Sequence, residues 1–222
     1  AIEAMAKKMF GAMTRPAGEP PERSYDVPLH DELLVAVATD PEATQSSVSI
    51  LRKRKKSGDQ KVSDYRRNLT EQLVYQMLNE RFDEIARRAD APFLGAGAYE
   101  SSLSPTVGVF ALGAGVEEGR IIPGLGALEI EANRVQRFGF GAAELERAKK
   151  WWQAWYERAY NERDKTESSA YAQEYVAHFL LGEPSPGIAY EYTLAQQLIP
   201  AITAGEIAEV AKALFADTAR VV

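Results

Sequence analysis

Histidine, on which hydrolytic metal sites commonly depend, occurs only at His30 and His178. A catalytic zinc helix places two histidines about one turn apart, so that both rings reach one ion, and adds a glutamate that activates water. The sequence contains neither H-x-x-E-H nor H-E-x-x-H, and it has no cysteine to supply thiolate ligands. We therefore interpret both histidines as structural, and we assign no catalytic residue and no metal ligand in this chain.

Other catalytic and nucleotide-binding patterns are also missing. No Gly-x-Ser-x-Gly nucleophile elbow occurs, although composition alone does not exclude a Ser/His/Asp triad. The glycine pairs Gly95/Gly97 and Gly113/Gly115 lack the third glycine of a dinucleotide-binding loop. Carboxylates are numerous, but without a histidine pair none can be assigned acid–base work.

The net charge of −6 argues against general binding to nucleic acid or anionic lipid. No apolar stretch approaches the ~20 residues that cross a bilayer. The basic run 52–56 (RKRKK) is interpreted as the solvated end of a strand, with a nucleic-acid patch as the weaker alternative. Trp151, Trp152 and Trp155 lie at helical spacing and are interpreted as core, with a ligand-binding aromatic face as the alternative.

The pattern of apolar residues predicts the elements that position these side chains. The predicted order is a helix over 1–13, strands over 33–39 and 44–54, a long helix over 60–90, strands over 94–101 and 106–115, and then a run of helices with a last strand beginning at 220. Strands and helices are grouped rather than alternating. This grouping predicts an α+β fold, a mostly antiparallel sheet with helices packed on one face.

Particular residues mark the faces and ends of the later helices. An apolar stripe at Tyr171, Tyr175 and Phe179 predicts a helix with a core-facing side. Thr203 and Glu206 have the spacing of a capping box, which predicts the start of the last helix.

A Pro- and Gly-rich segment divides the chain. It predicts a linker over 15–24, after a helix over 1–14 and before an α+β domain over 25–222. Because the sequence begins within a helical pattern and ends where a strand begins, we expect it to be a fragment of a longer protein.

Several segments, taken in order, resemble the insulinase/pitrilysin family of zinc metallopeptidases. These segments are 40–44 (DPEAT), 79–82 (NERF), 91–94 (APFL), 131–140 (EANRVQRFGF), 144–149 (ELERAK), 156–160 (YERAY) and 174–188. Each is modest alone, but the ordered set runs over nearly the whole chain and is fairly specific.

The resemblance implies a place for the chain in a larger protein. Family members pair two related α+β domains into a half, and two halves close around a peptide. The chain resembles the second, non-catalytic domain of the first half, and residues 1–14 would be the tail helix of the preceding catalytic domain. Zinc and the catalytic residues would then lie in the parent protein outside this chain. Its partners would be that catalytic domain, the second half and peptide substrates, in a bacterial periplasm rather than a cytoplasm.

The resemblance also implies one binding region. In insulin-degrading relatives a strand of this second domain anchors the N-terminus of the substrate. The matching residues here are Leu94, Gly95, Ala96, Gly97, Ala98 and Tyr99. Their glycines would permit the close backbone approach that peptide capture by strand addition needs. The alternative is that these glycines let a helix pack closely on the sheet.

Two functions from different classes therefore stay open. In the first, the chain is a substrate-binding wall of the chamber of a zinc-dependent metalloendopeptidase. In the second, it belongs to a structural subunit or partner that lacks the metal site. An H-x-x-E-H motif upstream of this segment in the parent protein would favour the first.

Overall fold

The structure, a computed structural model, describes residues 2–14, 18 and 27–222. Its elements, in chain order, are α1 (Ile2–Phe10), β1 (Ser46–Lys55), α2 (Val62–Ala86), β2 (Gly95–Ser102), β3 (Val107–Val116), α3 (Ile121–Phe138), α4 (Ala142–Asn161), α5 (Ser168–Leu181), α6 (Ile188–Ala201), α7 (Ala204–Leu214) and β4 (Arg220–Val221). Among the helices of these residues, none is long and apolar enough to cross a membrane.

The four strands form one antiparallel sheet in the order β2-β3-β1-β4. β1 pairs along its whole length with β3, from Ser46 opposite Val116 to Lys55 opposite Val107. β2 pairs with the other side of β3, and β4 pairs with β1. Together with the helices, this sheet confirms the predicted α+β fold, and it makes β2 an edge strand.

The core lies between one face of the sheet and the helices α2 and α3. Val48 and Ile50 of β1 are buried on that face, as the strand period of two predicts. α2 buries Leu73 and Met77, which are four positions apart on one side of the helix, and it also buries Leu78. The reason is that α2 contacts α4, α6 and α7 as well as β2, so more than one of its sides is covered.

α3 approaches the sheet closely at Gly124, which is buried. A Cβ at this position would overlap Cγ1 of Val116 on β3, so the absence of a side chain sets the distance between the helix and the sheet. Leu128 continues the buried face, whereas Ile122 and Phe138, near the two ends of the helix, are exposed.

The segment 33–39 is not the regular strand that its apolar composition predicts. It pairs in parallel with the end of the chain through a single bridge, where the Leu34 N–H donates to the Arg220 carbonyl over 3.1 Å. Val35 and Val37 are 65% and 84% exposed. Apolar composition favours an extended backbone but does not supply a neighbouring strand, and the prediction was wrong for this reason.

The basic run 52–56 is a solvated strand end only in its last part, since β1 ends at Lys55 and both Lys55 and Lys56 are exposed. β1 is an interior strand because β4, from the far end of the chain, pairs with it. Arg52 is 5% exposed, with its guanidinium 5.6 Å from the ring centre of Phe215. Arg54 binds Glu71 across 2.5 Å. The interpretation as a solvated edge was therefore wrong for Arg52, because local composition does not reveal the order of strands.

Two aromatic groups interpreted as core are largely exposed. Trp152 is half-buried against the core, whereas Trp151 and Trp155 are 43% and 38% exposed. α5 buries none of its residues, and Tyr175 and Phe179 of its apolar stripe are exposed. Helical spacing shows that one face is apolar but not what covers it. The core interpretation was therefore wrong for Trp151, Trp155 and the stripe of α5, whereas Trp152 does pack against the core.

The ends of the helices follow the sequence signals more closely. Thr203 Oγ1 accepts the Glu206 N–H over 3.2 Å, and the Glu206 carboxylate accepts the Thr203 N–H over 2.8 Å, which confirms the capping box. α1 ends at Phe10, about one turn before the predicted end. The predicted linker, 15–24, lies outside the described residues except for Gly18.

Candidate peptide-binding site

The six residues predicted to bind peptide lie together at one edge of the sheet. Leu94 immediately precedes β2, and the residues from Gly95 to Tyr99 form the first half of that strand. Leu94 and Tyr99 are 68% and 47% exposed, whereas the Ala98 side chain is buried in the core. The helices therefore cover one face of β2, while the outer edge of the strand is the edge of the sheet.

Asn79, a residue of α2 to which the sequence analysis assigns no role, contacts this outer edge. The Ala98 N–H donates to Asn79 Oδ1 over 2.6 Å, and Asn79 Nδ2 donates to the Ala98 carbonyl over 3.2 Å. In an antiparallel pair only alternate residues exchange both backbone bonds with the neighbouring strand. Ala96 and Glu100, two residues to either side of Ala98, therefore direct their N–H and C=O groups toward the same outer edge.

The glycines of β2 are not needed for close helix packing. A Cβ built at Gly95 meets nothing within 4 Å, and one at Gly97 meets only Asn79 Oδ1 at 3.8 Å, an ordinary contact. The close approach between a helix and the sheet lies instead at Gly124 of α3. The geometry thus leaves the glycines of β2 free for another role, and peptide binding at these residues stays a prediction.

A cavity of 1090 Å³ adjoins the start of β2. Leu94 and Gly95 belong to its wall, and its ionisable lining residues are the carboxylates Asp40, Glu117 and Glu118. The remaining lining residues are Ala38, Thr39, Pro41, Ala43, Thr44, Gln45, Ser46, Ser47, Gly115, Val116 and Ile121. The cavity therefore lies at one end of the sheet, between the segment 38–47 and the end of β3, and reaches β2 only at its first residue.

A buried ionic cluster lies near the other end of β2. Arg54 donates to both carboxylate oxygens of Glu71, over 2.9 and 2.5 Å, and to Glu100 over 2.7 Å. Tyr75 donates its O–H to Glu71 over 3.2 Å. Burial alone would lower the pKa of Arg54, but the hydrogen bonds and charge of Glu71 outweigh it and raise that pKa. Burial and the charge of Glu71 raise the pKa of Tyr75, so Arg54 and Tyr75 both keep their protons and stay hydrogen-bonded to Glu71.

The two histidines do not approach a metal-binding arrangement. His30 Nδ1 lies 2.7 Å from the Glu32 carbonyl, and His178 Nδ1 lies 2.6 Å from the Glu183 carbonyl. Within residues 2–14, 18 and 27–222, no group of three or more His, Asp or Glu side chains could hold a metal ion. The residues present thus do not fit a hydrolytic zinc ion, which needs at least three protein ligands.

Comparison with known sequences gives a relative that covers most of the chain. The sequence matches no established family profile. It is 30% identical over 201 residues to a protein named zinc protease PQQL-like from Arabidopsis thaliana. The match covers 90% of this chain and 18% of that protein, so the chain spans less than a fifth of this curated relative.

Solved structures share the fold over the whole chain. The periplasmic protease PqqL from Escherichia coli superposes with a TM-score of 0.84 at 17% identity, which covers 100% of this chain and 25% of that one. In a separate structure of the first half of that protease, the match covers 100% of this chain and 48% of the protease half. An insulinase-family protease from Yersinia pestis superposes with a TM-score of 0.80 at 14% identity, over 99% of this chain and 48% of that one. At these identities the likeness shows the fold alone.

Three observations point to the same family. They are the ordered sequence segments, the relative named as a zinc protease and the fold shared along the whole chain. The match to about half of a two-domain first half corresponds to one domain-sized part of such a protein. Over the part that is compared, the chain is therefore similar to members of the insulinase/pitrilysin family of zinc metallopeptidases.

Proposed function

We propose that the chain is a non-catalytic domain that lines the substrate chamber of a zinc peptidase and holds one end of a peptide along β2. The observation that carries this proposal is the edge strand itself. Among residues 2–14, 18 and 27–222, β2 pairs with a strand on one side only, and Ala96 and Glu100 direct backbone groups to its outer edge. A cavity of 1090 Å³ at the start of the strand gives the peptide room. Strand addition to such an edge supplies affinity through main-chain hydrogen bonds.

The catalytic zinc would belong to another part of the longer protein. The relative named as a zinc protease supports a metal in that protein, and the residues described here do not fit one. The partners of this domain would be the catalytic domain, to which residues 1–14 would belong as the tail helix, and the second half of the longer protein. The match to 48% of the first half of the Escherichia coli protease supports this arrangement. The name of the periplasmic relative supports a periplasmic location. A scaffold subunit without the metal site is the competing proposal.

Peptide cleavage by the longer protein tests the role of β2. Gly97→Val adds a β-branched side chain at the edge, where a Cβ has an ordinary contact distance and strand backbone is favoured. We expect a several-fold higher KM for peptides long enough to reach β2 and no change for short ones. Ser49→Val is the matched control, since Ser49 lies in line with Gly97 across Gly113 on the interior strand β1. An equal rise in KM for long and short peptides would refute the binding role.

A further inference from the structure

The outer edge of β2 is closed at its centre by the side chain of Asn79. A carboxamide presents an N–H donor and a C=O acceptor, the same pair of groups that one peptide unit presents. Because Asn79 bonds to both the N–H and the C=O of Ala98, over 2.6 and 3.2 Å, it takes the two hydrogen bonds that one residue of an added antiparallel strand would make.

We propose that Asn79 is an edge plug, which an extended peptide must displace in order to pair with β2 across Ala98. This inference rests on the peptide-binding role proposed for β2. Ala96 and Glu100 flank the plug, and each lies about 6–7 Å from Ala98 along the strand. A peptide that bonds to both of them passes directly over Ala98 and competes with Asn79 for its two backbone groups.

The plug can be displaced without disturbing the fold. Asn79 lies in the continuous helix α2 (Val62–Ala86) and is only half-buried, so rotation of its side chain is sufficient. An incoming peptide replaces both lost hydrogen bonds with Ala98, while Asn79 turns to solvent. Two neutral hydrogen bonds together change an equilibrium constant by about tenfold, so the plug lowers the affinity for peptide by about that factor.

Amide hydrogen exchange of the free chain tests the plug itself. Asn79→Ala should expose the Ala98 N–H and accelerate its exchange by about tenfold or more, because the bond to Oδ1 is its protection on that edge. Gln76→Ala is the matched control: Gln76 is a carboxamide one turn earlier on α2 that bonds to Glu80 and not to β2. Unchanged exchange at Ala98 in Asn79→Ala would overturn the proposal, as would equal acceleration in both variants.

Peptide affinity tests the competition. The probe is a blocked peptide of alternating valine and threonine, about six to eight residues long. We expect Asn79→Ala to bind it about tenfold more tightly than the wild type, with Gln76→Ala unchanged. Equal or weaker binding by Asn79→Ala, with β2 protected by the peptide in the wild type, would overturn the plug and leave the proposed function standing. If the peptide protects β2 in none of the three proteins, the proposed function fails and the competition with it.

Discussion

The substitution Arg81→Met probes how α2 is fastened to α3 and α4. The Arg81 side chain is 9% exposed, and its Nε and Nη2 donate to the two carboxylate oxygens of Glu144 over 2.7 and 3.0 Å. Nη2 also donates to the Gly139 carbonyl at the end of α3, over 3.0 Å. Nη1 lies 3.6 Å from Oε2 of Glu131, whose side chain is 6% exposed. The Arg81 guanidinium therefore contacts two carboxylates and a backbone carbonyl at the end of α3.

The expected loss of folding stability follows from the two carboxylates, Glu131 and Glu144, that lose their partner. Methionine keeps the apolar stem but removes the charge and its hydrogen bonds. Removing one partner of a buried ion pair costs about 3–5 kcal/mol, because the remaining charge is buried and unpaired. Glu144 is 22% exposed and can regain some hydration, so we expect a loss near the lower end, about 3 kcal/mol.

The loss should depend on pH in a defined direction. Burial alone would raise the pKa of Glu144, but hydrogen bonds from Arg81 and the Gly141 N–H outweigh it and lower the pKa below its ordinary value. The wild type therefore has this stabilisation above the unfolded glutamate pKa of about 4.3 and loses it as pH falls through the lower folded pKa. Without Arg81, burial favours the protonated acid. The difference between wild type and variant should shrink below about pH 4.

Urea unfolding followed by circular dichroism measures both effects. Arg134→Met is the matched control, since Arg134 lies 3.3 Å from the same Glu131 but is 55% exposed, and surface pairs contribute about 0–1 kcal/mol. A loss in Arg81→Met no larger than in Arg134→Met, or a gap that widens in acid, would refute the role assigned to Arg81.

Three further predictions concern the backbone and a helix end. Gly124→Ala should destabilise the fold by about 1–3 kcal/mol, because the new Cβ overlaps the sheet. Gly126→Ala, whose Cβ meets nothing within 4 Å, should instead stabilise α3 by up to about 1 kcal/mol. Thermal unfolding of both variants tests this difference in sign. Thr203→Ala should cost about 1 kcal/mol in urea unfolding, because α7 loses its cap, and an unchanged midpoint would contradict this. Hydrogen bonds from Arg66 and then Thr203 lower the pKa of Glu206 to about 2, so the advantage of wild type over Glu206→Gln should fade as pH falls from about 4 to 2 in acid unfolding.

Features that depend on neighbouring residues could be predicted from the sequence. The alternation that buries Val48 and Ile50, and the spacing that buries Leu73 and Met77, follow from the periods of strands and helices. The cap at Thr203 depends on a bond to a residue three positions away. These features gave the fold class and most of the element order.

Features that depend on distant partners could not be predicted in this way. Arg52 is buried because β4 joins the sheet beside β1, and nothing in the basic run indicates that pairing. Phe179 is exposed because an apolar stripe does not specify its cover. The bond between Asn79 and Ala98 joins residues 19 positions apart and depends on where α2 crosses β2. The sequence therefore indicated the candidate strand but not the side chain that contacts its outer edge.

The binding of an extended peptide along β2 is tested most directly by amide hydrogen exchange of this 222-residue chain, with and without saturating peptide. We expect slower exchange at Ala96 and Glu100, whose backbone groups face the outer edge, when peptide is present. Protection of the other extended segment, 33–39, or no protection anywhere, would contradict it.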